Sequence, residues 1–275
     1  MTDDDAGSEY RPWFPLLERF IKPTREPLIA SIPPVSEPLV GSKFSIGAAW
    51  STDFKHPMHR RIFFRLRYSY RAPDFFIARM VRGKSHVGFV TFDEGFTLDR
   101  LSGTTAQIQE EVDIMYLSTH GSCSSGLYSA HLYANDWIPT QHGLGKKGPA
   151  IIVFDTCDLV DLNDPGWTNH WKGNTVGPAL RLVLGFAGSA DSGKKPSRRG
   201  DGFAIEMLRG TPIAKSWLTA VHQTSVSHQD NDHGIAIALG DSPSDAQHVL
   251  DNVTLGNWPG PRIGSKIEIA WKFCH

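Results

Sequence analysis

The sequence predicts an α/β fold: a mainly parallel central sheet flanked by helices. Three features lead there. Runs such as Ile151-Ile152-Val153-Phe154 are rich in β-branched and aromatic residues and show no polar alternation, the pattern of a strand buried on both faces of a parallel sheet. Such runs alternate along the chain with segments of helical character. Two of them, within 112–121 (VDIMYLSTHG) and 150–159 (AIIVFDTCDL), end abruptly on a reactive side chain, His120 in the first and Cys157 in the second.

Taken in order, residues 1–43 read as an N-terminal arm. Pro23, Pro27, Pro33, Pro34 and Pro38 remove backbone donors and fix φ, so this stretch cannot be a regular helix or a central strand, and the expectation is an extended segment that packs over the domain. The domain proper spans 44–275. Residues 44–50 (FSIGAAW) give its first core strand. Within 56–82, arginines alternate with aromatics, as on a helix with a solvated charged face. Strands follow at 86–92 and 112–119, with a short helix at 104–111 between them, and then at 151–154 and 180–187. A helix at 202–209 closes on Gly210. Thr211 and Pro212 open another over 213–225. A strand at 235–239 and a one-sided edge strand at 266–273 complete the domain.

Composition excludes several classes of function. At 275 residues and 40% hydrophobic, the chain can bury a large core. A net charge of −1 leaves no electrostatic footprint for nucleic acid. No apolar stretch predicts a membrane span, and the acidic start Met1-Thr2-Asp3-Asp4-Asp5 lacks a secretory n-region, so the expected setting is cytoplasmic. Three cysteines do not suggest a disulfide framework.

The chemistry is carried by His120 and Cys157. In open α/β sheets, ligands sit at the carboxyl ends of the strands. If the two strands are neighbours, imidazole and thiol emerge together there, and a base beside a thiol makes a thiolate nucleophile near neutral pH. A lone histidine is more often a hydrogen-bonded structural residue and a lone cysteine a small buried one. Two strand-terminal residues with Gly121 directly after the histidine shift the balance to catalysis. Because the histidine precedes the cysteine, papain-like enzymes, in which the cysteine comes first, do not match.

These segments, Tyr116-Leu117-Ser118-Thr119-His120-Gly121 and Val153-Phe154-Asp155-Thr156-Cys157, resemble the signature of the caspase-like superfamily of cysteine peptidases (clan CD), which includes caspases, legumain, gingipains, clostripain, separase and CHAT proteases. The resemblance implies a caspase-like (caspase–hemoglobinase) sandwich, a His120–Cys157 dyad, an acyl-enzyme, and a Gly121 N–H that helps hold the oxyanion. It implies a peptide or protein substrate and no cofactor or metal. It also places two carboxylates in the pocket, Asp155 as in legumain and Asp191 just past the next strand, and so a basic P1 residue. Against this, Lys194, Lys195, Arg198 and Arg199 follow in what reads as a flexible surface loop, and could draw an acidic substrate instead. Two alternatives share the fold: a peptide-maturing transpeptidase or ligase, and a catalytically silent interaction module.

Three patterns are set aside. The stretch 188–195 (GSADSGKK) nearly fits a P-loop but lacks the hydroxyl residue that would bind magnesium. His56 with His59, and 228–233 (HQDNDH), lack the spacing of a recognisable zinc site. Asp158, Asp161 and Asp164 recur every third residue, unlike a calcium-binding EF-hand loop, and read as a solvated turn.

Overall fold

The structure, a computed structural model, describes residues 44–51, 70–92, 112–122, 129–131, 137–139, 144–146, 148–172, 176–191, 193–225 and 232–274. The proposed arm at 1–43, the arginines before residue 70, His56, His59, the expected helix at 104–111, Cys123 and His228 lie outside these residues.

The central sheet has seven strands: β1 (Ser45–Trp50), β2 (His86–Phe92), β3 (Ile114–Ser118), β7 (Ile151–Asp155), β8 (Leu182–Gly188), β9 (Asp232–Gly240) and β10 (Glu268–Phe273), in the order β10-β9-β8-β7-β3-β1-β2. A separate antiparallel sheet holds β4 (Gly121–Ser122), β5 (Ser129–His131) and β6 (Trp137–Pro139). Four helices are described: α1 (Arg71–Arg82), α2 (Arg199–Leu208), α3 (Ile213–Thr224) and α4 (Pro243–Asn252).

The runs read as doubly buried strands are so. Every residue of β3 and of β7 is buried. Alternate side chains enter two cores, as strand geometry requires. Ile151 and Val153 join Tyr116, Phe186 and the apolar faces of all four helices. Ile152 and Phe154 join Leu117, Val183 and a layer built from Leu159, Val160 and the 3-10 helix Trp167–Trp171.

The expectation of a mainly parallel sheet is corrected to a mixed one. Pairings from β2 through β8 are parallel, whereas β9 runs against β8, and β10 against β9. The reason lies in the connection. One helix between strands returns the chain to its starting edge, but α2 and α3 together return it to the carboxyl end of β8, so β9 must run back. The edge strand β10 departs from its one-sided pattern: Ile269 and Phe273 are half-buried on the expected apolar face, but Trp271 on that face is 45% exposed with its ring edge-on to Trp167, and Ala270 on the other face is buried.

Helix ends follow backbone chemistry with one shift. Gly210 has φ +85°, the left-handed turn expected after α2. Pro212, not Thr211, occupies the N-cap of α3, and the Thr211 hydroxyl donates instead to Glu206 Oε2 at 3.1 Å.

The helix-side core centres on Trp217 of α3. It is fully buried, donates from Nε1 to the Gly185 carbonyl at 3.1 Å, and meets the rings of Tyr116, Phe186 and Phe203. Trp217→Ala is expected to lower stability by about 3–5 kcal/mol through the cavity it leaves. Denaturant unfolding reads this; a loss below about 2 kcal/mol would mean that the core collapses around the gap.

Candidate active site

The parallel register of β3 against β7 pairs Tyr116 with Val153 and Ser118 with Asp155. Two residues beyond that last pair, at the same carboxyl edge, the chain reaches His120 on one strand and Cys157 on the other. The two sequence candidates therefore leave the sheet side by side, on adjacent strands in its middle. Gly121 closes the approach. A Cβ built there would overlap the carbonyl oxygen of Cys157 and come within 2.8 Å of Thr156 Oγ1, so only glycine lets the backbone of β4 lie against the Cys157 turn.

Cys157 carries a half-buried thiol. The backbone N–H of Ala190, from the loop after β8, donates to its Sγ at 3.3 Å. A donor aimed at sulfur favours the thiolate, whereas the Ala190 carbonyl, 4.0 Å from Sγ, accepts from the thiol. Beyond Cys157 the chain turns under the sheet: Asp158 has φ +53° and donates its N–H to the Gly188 carbonyl at 2.6 Å, and Leu159 donates to Phe186 at 2.9 Å. Burial, and then repulsion from Asp161, raises the Asp158 carboxyl pKa. Asp161 and Asp164 cap local turns, accepting from the N–H groups of Asn163 and Gly166. No cluster of three metal-ligating side chains occurs among the described residues.

Asp155 differs from its expected placement. Strand alternation turns it to the same face as Ile151 and Val153, under the helices, where it is 8% exposed. There Arg199 Nη1 donates to its Oδ1, and the Tyr116 hydroxyl donates to its Oδ2 at 2.9 Å. Burial first, and the neighbouring Asp155 charge next, push the Tyr116 pKa well above its ordinary value, which keeps the phenol a donor. The carboxylate charge is thus balanced inside the protein.

The basic run differs too. Arg199 is 1% exposed at the start of α2, with its guanidinium 4.5 Å over the Phe186 ring. Pro196 and Ser197 are buried, Lys195 Nζ donates to the Ser225 carbonyl at 2.6 Å, and Arg198 stacks over Phe75. The flexible surface loop expected from the sequence is therefore a braced segment, packed by the apolar stems and rings that its cations cover. Asp191 is half-buried in the loop between β8 and α2, and its carbonyl oxygen accepts from Arg199 Nη2 at 3.3 Å.

Two participants carry no expectation from the sequence, Tyr116 and the Ala190 amide, and Arg199 is read there only as part of a basic loop. Tyr116 had a readable signal, a phenol on the strand next to Asp155 and on the same alternation. A backbone amide carries none.

Comparison with known proteins gives a family and a distant structural likeness. The family model described as Domain of unknown function (DUF6345) matches residues 77–257. Among solved structures, the crystal structure of the Drosophila initiator caspase Dronc is similar at 13% identity and a TM-score of 0.43, over 70% of this chain and 78% of that one. A search of curated proteins finds no match.

Proposed function

We propose that this chain, which belongs to the family Domain of unknown function (DUF6345), is a cysteine endopeptidase of caspase-like architecture. The observation that carries the proposal is the β3–β7 register, which brings the ends of two parallel strands, His120 and Cys157, to one edge. The motif resemblance points the same way. Cys157 Sγ, its proton taken by His120, attacks the scissile carbonyl carbon, and the oxyanion that forms is met by backbone N–H groups. His120 then gives the proton to the departing amine, leaving a thioester, and water attacks that thioester to release the acid and restore the thiol. The substrate is a peptide or protein. Cysteines at Cys157 and Cys274 that form no disulfide suit a reducing, cytoplasmic setting. Among the described residues no helix is long and apolar enough to cross a membrane.

With Asp155 held by Arg199, a basic P1 preference rests on Asp191. Asp191→Asn is then expected to slow cleavage after Arg or Lys by roughly ten- to a hundred-fold, the value of a charge-assisted hydrogen bond of about 1.5–3 kcal/mol. Wild type and variant should be profiled on matched peptides with Arg, Lys, Asn, Asp and Leu at P1. A wild type that prefers Asp, or a variant with an unmoved profile, overturns the basic-P1 proposal and leaves the peptidase untouched.

A further inference from the structure

We infer that Arg199 is a positioning residue that sets the reactivity of Cys157 by fixing the Ala190 amide against its sulfur. This rests on Cys157 being the nucleophile. The guanidinium forks between two backbone segments that must hold a fixed relation. One branch, Nη1, takes the carboxylate of Asp155, two residues before the nucleophile on β7. The other, Nη2, takes the carbonyl of Asp191 at 3.3 Å. The residue before Asp191 is Ala190, whose N–H lies 3.3 Å from Cys157 Sγ. A single rigid planar group therefore ties the strand that carries the thiol to the loop that carries its donor.

The brace is itself immobilised. Arg199 stands on the first turn of α2, is 1% exposed, and lies over the Phe186 ring on β8. Tyr116 holds the second oxygen of Asp155. Such support is needed because an amide favours a thiolate only when its N–H points at the sulfur. A loop free to shift by 1 Å loses most of that interaction.

The ionisable groups of the elements that meet at the thiol are His120 from the end of β3, Asp158 next in sequence, Asp191, and the Asp155–Arg199 pair. Removing that pair together leaves the local charge unchanged, so the effect that remains is positional. The test is the pH profile of iodoacetamide alkylation at Cys157 in the full chain, followed by peptide mass spectrometry, with Cys274 as internal control. In the double variant Asp155→Asn/Arg199→Met, shown folded by circular dichroism, the midpoint for Cys157 is expected to rise by about one pH unit, a roughly tenfold lower thiolate fraction at neutral pH. The Cys274 profile stays in place. Arg199→Lys, which keeps the charge beside Asp155 but cannot fork, is expected to show a smaller rise in the same direction, and it decides the matter alone if the double variant does not fold. A Cys157 midpoint unchanged in the folded variant overturns the inference, as does an equal shift at Cys274. Because the assay needs no peptide turnover, a wild type that cleaves nothing, with the shift still seen in the variants, would sink the peptidase reading and leave the brace on the Cys157 thiol standing.

Discussion

Cys157→Ala and His120→Ala are each expected to abolish peptide cleavage, by a factor on the order of 10⁴ or more, while leaving the protein folded. The thiol is half-buried at a strand end and outside both apolar cores, so its loss opens no large cavity and changes stability by no more than about 1 kcal/mol. The double variant is expected to be little worse than either single one, because nucleophile and base work as a unit. Two measurements check this: turnover of a peptide library, and labelling by a thiol-reactive peptide probe. Wild type should be labelled at Cys157 in preference to Cys274. Turnover that survives in either variant would remove the dyad, and probe labelling that ignores Cys157 would return the chain to the class of silent interaction modules.

The middle of the sheet was legible because a strand buried on both faces leaves a strong mark. β3 and β7 are continuous apolar runs, and their abrupt ends at His120 and Cys157 are visible as letters. Strand direction follows from a count rather than from any one run: the two helices read at 202–209 and 213–225 force β9 to reverse against β8, a step that local strand pattern alone does not take. Helix α4 was passed over although its start was written plainly. Ser242, with Pro243 next, accepts from the Asp245 N–H at 3.1 Å, and only Ala246, Val249 and Leu250 are buried. Such a thin stripe, on a mostly polar segment, hides a helix from hydrophobic periodicity. The resemblance puts Asp155 in the pocket, whereas in the structure its carboxylate is buried under the helices. Its actual partner, Arg199, lies 44 residues away within a basic run whose composition looks like solvent-exposed loop. A buried ion pair of this kind is poor evidence for stability. Here its meaning is geometric: it joins the end of β7, just before Cys157, to the α2 start.

Gly121→Ala is expected to lower kcat/KM about a hundred-fold or more, and to lower stability by about 1–3 kcal/mol, through one added methyl group. The new Cβ would overlap the Cys157 carbonyl oxygen. Neither side can give way cheaply. The Cys157 turn is anchored on both flanks, by Asp155 to Arg199 before it and by the Asp158 and Leu159 amides to β8 after it. Gly121 for its part begins β4, in register with Ala130 of β5. Relief must therefore move the thiol, the His120 ring or the backbone between them, each of which disturbs the attack geometry. Gly210→Ala is the matched control. Its φ of +85° puts an alanine in the left-handed region, but nothing lies within 4 Å of the added atom, so the expected cost is about 1 kcal/mol of strain with activity intact. Thermal unfolding and peptide turnover, measured on both variants, separate the two effects. If Gly121→Ala loses stability yet keeps wild-type kcat/KM, then close approach to the Cys157 carbonyl serves packing alone, and the backbone at Gly121 has no part in holding the oxyanion.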